Sequence, residues 1–382
     1  MNNNEIQNIR LSDDNASVVI LDQTLLPNET KYIELSGADE LHEAIYSLRV
    51  RGAPAIGIFA AYSLYVLARQ INTEDYETFK KAIMKHSSYL DSSRPTAVNL
   101  SIQLRRMESV IEDSSKLPIP QILEVMREEA EQIYKEDVEM CRVISEHGVK
   151  LIRDANASNG CKGILTHCNA GPLATSRYGT GLGPILMGHE MGMKLRAYIC
   201  ETRPLLQGAR LTAYELGKAG VECTLICDNM ASLVMSEGKI NAVFAGCDRI
   251  ARNGDVANKI GTSGLAILAK HYGIPFYVFG PSTTIDMDCA TGADIEIELR
   301  EPQEIKEMFF EKPMAPIDTK CYNPAFDVTP NNLITAIVTE KGIFRNGLEL
   351  EGDSEVPQSS PFKNGKSSGI TPLSRLSTSL FR

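Results

Sequence analysis

The chain predicts an α/β fold: a Rossmann-like parallel sheet in the C-terminal domain, and a mainly helical N-terminal domain carrying a small β element. Three observations lead there. Between residues 40 and 152 the apolar residues recur at helical spacing. After residue 162, five short apolar runs each end in a polar or glycine-containing loop and lead to the next segment of the chain. The five runs are separated by helical patterns and read as strands buried on both faces, which pair in parallel through right-handed crossovers.

Residues 1 to about 40 alternate weakly, as in Ser17-Val18-Val19-Ile20-Leu21, and form the small β element. From Glu40 the spacing of Leu41, Ile45, Leu48 and Val50 is helical and leads to Arg51-Gly52-Ala53-Pro54, after which Ala55 to Arg69 is a second apolar helix. Helical patterns continue over Phe79 to Leu90, Ala97 to Ile111 and Pro120 to Ile152, so the N-terminal domain is placed at 1–150. The strand Gly163 to Cys168 follows, then a glycine-rich loop and a helix over Pro184 to Met191. Leu195 to Cys200 is a strand whose helix is Ala209 to Ala219. Val221 to Cys227 precedes a short helix from Ala231, and Ala242 to Gly246 precedes a helix over Val256 to Tyr272. Pro275 to Phe279 is the fifth strand, and the Rossmann-like domain is placed at 151–350. Residues 351–382, rich in Ser, Pro, Gly and Lys, read as a disordered tail in which Leu373, Leu376, Leu380 and Phe381 offer the material for a short docking helix.

Composition narrows the function classes. A chain of 382 residues with 43% hydrophobic and 23% charged residues is an ordinary globular protein of about two domains. A net charge of -10 argues against a nucleic-acid surface, though a small basic pocket needs only two or three cationic groups. The sequence contains no run of about 18 uncharged apolar residues, and its first residues lack the pattern of a signal peptide, so a cytoplasmic protein without a membrane partner is expected. Nine cysteines, an odd number with several inside apolar strands, read as free thiols in a reducing compartment. Gly179-Thr180-Gly181-Leu182-Gly183 has the wrong spacing for a dinucleotide loop, and Asn364-Gly365-Lys366-Ser367 lacks the upstream glycine of a P-loop. His189-Glu190 is followed by Met193 where a zinc helix needs its second histidine. No nucleotide cofactor and no structural metal are expected.

Chemistry concentrates at two strand ends. Thr166-His167-Cys168-Asn169-Ala170-Gly171 closes the first strand and Gly246-Cys247-Asp248-Arg249-Ile250 closes the fourth. Taken singly, Cys168 is an ordinary small buried residue and Asp248 an ordinary turn cap or partner of Arg249. Together, on neighbouring strand ends of a parallel sheet, a thiol and a carboxyl group are the base and acid of a proton-transfer enzyme. The loop setting beside His167 is expected to lower the thiol pKa, and the apolar residues before Asp248 are expected to raise its carboxyl. Arg51-Gly52-Ala53-Pro54 stands at a helix amino end, where phosphate binds well and an arginine adds a bidentate donor. Arg94 precedes another helix start and is a second candidate clamp. Asn258-Lys259, placed in the first turns of the helix after Asp248, offers an amide and an ammonium to sugar hydroxyls.

These segments, together with Ser93-Arg94-Pro95-Thr96, Glu201-Thr202-Arg203-Pro204, Gln207-Gly208-Ala209-Arg210, Asn258-Lys259-Ile260-Gly261-Thr262 and Tyr322-Asn323-Pro324-Ala325-Phe326-Asp327, resemble the methylthioribose-1-phosphate isomerase family. That family is related to regulatory subunits of the translation-initiation exchange factor, and the similarity runs from about Asp22 to Arg345. The resemblance implies an aldose-ketose isomerase with Cys168 as catalytic thiol and Asp248 as proton donor. It implies substrate binding by Arg51, Gly52, Ala53, Arg94, Gln207, Asn258 and Lys259, a sugar phosphate as substrate, a place in methionine salvage, and a homodimer. Two positions depart from the family pattern. Phe279-Gly280-Pro281-Ser282-Thr283-Thr284 stands where these enzymes usually read Ala-Ala-Pro-Leu-Ser-Thr, and Cys247 stands where alanine is common. The departures leave open a paralogue acting on 5-deoxyribose 1-phosphate, and a non-catalytic sugar-phosphate sensor is the rival from another class.

Overall fold

The computed structural model describes residues 6–94, 97–154, 162–346 and 348–350. Pro95-Thr96 and the 351–382 tail, with its candidate docking residues, lie outside the described residues. The chain opens with an antiparallel sheet of β1 (Ile9–Leu11), β2 (Val18–Leu21) and β3 (Tyr32–Leu35). β2 is buried along its whole length, because Val18 and Ile20 join the helical core while Leu21 packs with Leu26, Leu173 and Leu211.

Five helices follow: α1 (Ala38–Tyr46), α2 (Ala53–Ala68), α3 (Tyr76–Asp91), α4 (Val98–Asp113) and α5 (Ile119–Asp154). α2 is apolar on every face and buried from Ala55 to Ala68, as expected of a helix surrounded by others. It packs on α3, α4 and α5, and its alanines let those neighbours come close. α5 has 36 residues and so is about 54 Å long at 1.5 Å per residue. Its first half packs in this helical core through Ile122, Met126 and Ala130, and its second half covers the large sheet through Ile144 and Ile152.

The large sheet contains β4 (Lys162–Thr166), β5 (Leu195–Cys200), β6 (Cys223–Ile226), β7 (Ala242–Ala245), β10 (Phe276–Phe279), β13 (Ala336–Thr339), β14 (Gly342–Arg345) and β15 (Glu349–Leu350). Its order is β15-β14-β13-β10-β7-β4-β5-β6; the six strands from β13 to β6 pair in parallel, and β14 pairs antiparallel with both β13 and β15. The chain enters at β4, winds outward through β5 and β6, then returns to β7 on the other side and continues to β10 and β13. This is the doubly wound order, and the strand direction of travel reverses between β4 and β7. α6 (Gly183–Glu190), α7 (Ala213–Ala219), α8 (Ala231–Ser236) and α9 (Thr262–His271) supply the covering helices, and α10 (Gln303–Lys306) is a single turn.

The five expected strands are present; Leu195–Cys200 has the expected bounds, and the other four differ from them by a residue or two at one or both ends. One expected helix is corrected. Val256–Lys259 is β9, paired antiparallel with β8 (Arg249–Ala251) and with β12 (Phe326–Thr329), and the helix begins only at Thr262. The Asn253-Gly254 turn closes the β8–β9 hairpin, and Gly261 at φ +103 separates β9 from α9. The other partner, β12, lies some 69 residues further on, as the register Asp327 opposite Asn258 shows, so no local pattern announces it. β11 (Ile285–Asp286) completes this second sheet in the order β11-β8-β9-β12. Among the described residues no helix is long and apolar enough to cross a membrane.

Candidate active site

In open parallel sheets, ligands bind beyond the carboxyl ends of the strands at the point where strand order reverses. Here that point lies between β4 and β7, with Thr166 opposite Phe244, and the residues that follow these strands are Cys168 and Asp248. Both line one cavity of about 630 Å³, a size suited to a small metabolite. Arg51, Gly52, Ala53, Arg94, Gln207, Asn258 and Lys259 line the same cavity, so the fold brings together all nine residues singled out in the sequence.

They arrive from six places along the chain. Gly52 is the N-cap of α2 with φ +95, and a side chain there would run into the backbone of Ala174. Glycine is therefore required at this position. It places Arg51 and Ala53 at the amino end of a 16-residue helix that faces the cavity. Arg94 follows α3, and its guanidinium stands 4.0 Å from Glu298. Gln207 precedes the π-helical turn Gly208–Thr212, and its Oε1 is buried without a hydrogen-bond partner among the described residues. A buried acceptor left open on a cavity wall is a group a ligand can satisfy. Asn258 and Lys259 come from β9 rather than from a helix; Asn258 Nδ2 donates to Thr262 Oγ1 at 3.0 Å. Lys259 Nζ donates to the Ala325 carbonyl at 2.9 Å and lies 4.3 Å from the centre of the Phe326 ring.

Cys168 has φ +61, a left-handed conformation that a residue with a Cβ adopts only when its surroundings impose it. Two threonines do so. Its N–H donates to Thr202 Oγ1 at 2.9 Å, and its carbonyl accepts from Thr212 Oγ1 at 2.6 Å. Thr202 is itself anchored by Asp228, which accepts from the Thr202 and Arg203 amides at 2.8 Å each. His167 touches the same clamp, its Nδ1 3.5 Å from Thr202 Oγ1, and holds the Ile260 carbonyl through Nε2 at 2.9 Å.

The electrostatics correct one expectation. Burial pushes the Cys168 thiol above its ordinary range, although Arg51 and Lys259 pull it down. The exposed-loop reading expected a lowered thiol, but Cys168 is only 7% exposed, and desolvation of the thiolate outweighs the two cations. Asp248 is raised as expected, by burial first, against the pull of Lys259, Arg51 and Arg94. Burial also lowers Lys259, with Cys168 and Asp248 acting the other way. Among the described residues five cations line the cavity; Arg249 and Arg300 are paired with Asp286 and Glu298, while Arg51, Lys259 and Arg94, the last 4.0 Å from Glu298, are the cations that act on Asp248 and are placed to meet an anion.

Among the described residues, one group of potential metal ligands stands out. His167, Cys200 and Asp228 bring their ligand atoms within 4.8 Å of one another. Both Asp228 oxygens already accept backbone amides and His167 Nε2 holds a carbonyl, so the group is used by the chain itself. The sequence reading gave no role to the side chains of Thr202, Thr212, Asn169 and Glu215, which support the site residues from behind. Their role is visible only in the hydrogen bonds they make across the fold, although Thr202 and Asn169 lie within the segments that carry the resemblance.

The comparisons with known proteins show the family. The model of the Initiation factor 2 subunit family matches residues 49–346. A methylthioribose-1-phosphate isomerase of Parabacteroides distasonis is 56% identical over 336 residues, covering 88% of this chain and 98% of the relative. A 5-deoxyribose 1-phosphate isomerase of Petrotoga mobilis is 54% identical over 335 residues, covering 88% and 94%. The crystal structure of 5-methylthioribose 1-phosphate isomerase from Pyrococcus horikoshii OT3 superposes with a TM-score of 0.83 at 40% identity, covering 90% of this chain and 93% of that one. With fold and relatives in agreement, the chain belongs to the Initiation factor 2 subunit family and, within it, to the methylthioribose-1-phosphate isomerase family of aldose-ketose isomerases.

Proposed function

We propose that this enzyme converts 5-methylthioribose 1-phosphate to 5-methylthioribulose 1-phosphate, a step of methionine salvage, with Cys168 as base and Asp248 as acid. The observation that carries the reading is the meeting of Cys168 and Asp248 across the β4–β7 reversal, in one cavity with Arg51, Arg94 and Lys259.

An aldose 1-phosphate has its anomeric oxygen blocked, so its ring opens only with help. Protonated Asp248 donates to the ring oxygen, the ring C1–O bond breaks, and C1 is left as an oxocarbenium carrying the phosphate oxygen. Cys168 thiolate removes the C2 proton to give an enol phosphate. The proton returns to C1 as the C2 hydroxyl loses its own, and the ketose 1-phosphate results. Burial serves the acid by keeping Asp248 protonated. It works against the thiolate, which Arg51 and Lys259 favour. Those cations and the amino end of α2 are the natural seat of the phosphate. Solvent deuterium incorporated at C1 is the expected signature, and its appearance excludes a pure hydride shift from C2 to C1.

Two observations bear on the 5-substituent. Ile56, Val98, Ile102 and Met287 also line the cavity and give an apolar methylthio end a surface to bury. Within the two departures from the family pattern, Gly280 and Cys247 make one packing exchange. A Cβ at Gly280 would overlap Cys247 Sγ, so the larger residue at 247 fills the space left by the smaller one at 280. That exchange accounts for Gly280 and Cys247 and does not reach Phe279, Ser282 or Thr283, of which Thr283 lines the cavity. A second reading, 5-deoxyribose 1-phosphate as substrate, is favoured by the Petrotoga mobilis relative. Incubation of the purified chain with each sugar phosphate, followed by NMR of the ketose 1-phosphate, separates them. Faster turnover of the methylthio sugar is expected, faster turnover of the deoxy sugar would establish the second reading, and binding without conversion of either would mean a sensor.

A further inference from the structure

Glu215 belongs to none of the roles above and does not line the cavity, yet it is a carboxyl group only 2% exposed. It stands on α7, one turn after Thr212. Its Oε1 accepts from the Leu173 N–H at 2.6 Å and its Oε2 accepts a short hydrogen bond from Asn169 Nδ2. The same Nδ2 donates to Thr212 Oγ1 at 3.2 Å. With its amide hydrogens engaged on this side, Asn169 turns its Oδ1 the other way, where Arg51 Nη1 donates to it at 2.6 Å. Arg51 Nη2 donates to the Asn169 carbonyl at 3.2 Å, so one residue holds both arms of the guanidinium. The backbone is shaped for this contact, since a side chain at Gly171 would collide with the Glu215 carboxylate.

We propose that Glu215 is a positioning residue: through Asn169 it sets the orientation in which Arg51 meets the phosphate of the substrate. The proposal rests on the isomerase reading for the identity of the ligand, and its geometry does not depend on that reading. A glutamine at 215 has one oxygen and one NH2, so either the Leu173 N–H or the Asn169 NH2 faces a donor. Asn169 then loses the partner that fixes its flip, and Arg51 loses its orientation. A residue acting only on Arg51 weakens binding more than chemistry.

The test compares wild type, Glu215→Gln, Arg51→Ala and the double variant with 5-methylthioribose 1-phosphate and 5-deoxyribose 1-phosphate. The expected result for Glu215→Gln is a KM raised about tenfold or more with kcat changed by less than about threefold. The double variant is expected to be no worse than Arg51→Ala alone, because the two residues act in series. An unchanged KM in folded Glu215→Gln, or losses that multiply in the double variant, overturns the proposal. If the wild type converts neither sugar, the isomerase reading fails while this inference is still tested by calorimetric titration with inorganic phosphate. There a roughly tenfold weaker Kd in Glu215→Gln supports it and an equal Kd overturns it. If Glu215→Gln does not fold, Asn169→Ala removes the same link without setting a donor against Glu215 and is held to the same outcomes.

Discussion

At the scale of single residues, the site is a balance between burial and charge. The active form needs Asp248 protonated and Cys168 ionised, and the product of those two fractions is level between their pKa values and falls outside them. Both groups are raised by burial, so the acid limb of the kcat/KM profile reports Asp248 and the alkaline limb reports Cys168. The alkaline fall is expected above the ordinary thiol range, measured in initial rates across pH; a fall beginning near neutrality would remove Cys168 from the base role. Cys168→Ala and Asp248→Asn are each expected to lower kcat by about a hundredfold or more with little loss of Tm. The threonine clamp gives a separate test. Thr202→Val leaves the buried Cys168 N–H without its acceptor and is expected to lower stability by about 1–3 kcal/mol and kcat by about tenfold, while Thr202→Ser keeps both, as urea unfolding and rates will show.

At the scale of elements, close backbone approach sets where the site residues stand. Gly52 lets the start of α2 meet the turn at Ala174, which carries Arg51 to the cavity. Gly148 on α5 lies against Pro184 of α6 and Phe279 of β10, and a Cβ there would overlap both. Gly148→Ala is therefore expected to part α5 from α6 at a cost of about 1–3 kcal/mol in unfolding free energy, with KM little changed because no site residue is displaced. Gly52→Ala, strained by its φ of +95 and by the collision with Ala174, is expected to lower stability and raise KM together. The two glycines thus separate packing from positioning.

At the scale of the whole molecule, burial of carboxyl groups couples the site to stability. Asp137, Glu215 and Asp248 are all raised by burial. Glu215 is pushed from an ordinary 4.5 up to about 7, with Leu173, Asn169 and Arg51 acting against the shift. Between those values the folded state holds a proton that the unfolded chain has released, so the contribution of Glu215 to stability falls as pH rises from about 4.5 to about 7. Unfolding free energies of wild type and Glu215→Gln, measured in urea at several pH values, are expected to converge in favour of the variant as pH rises. Parallel curves would place the Glu215 carboxyl at its ordinary value.

The sequence by itself determined the local chemistry and most of the local structure. The apolar runs ending at Thr166 and Ala245, the helical spacing of α2 to α5, and the motif around Cys168 are properties of short segments, and hydrophobic periodicity and turn chemistry act over such distances. Those motifs also made the family legible, with nine residues that the fold gathers around one cavity. Tertiary structure decided what depends on distant partners. Asn258 and Lys259 stand on a strand because Phe326–Thr329 pairs with it, and β13 joins the sheet because β10 offers it an edge. The thiol of Cys168 is raised because the assembled cavity takes it out of water, which no neighbour in sequence reveals. The line from Glu215 through Asn169 to Arg51 exists only once α7, the β4 loop and the start of α2 meet, since hydrogen bonds of that kind are set by three-dimensional approach rather than by spacing along the chain.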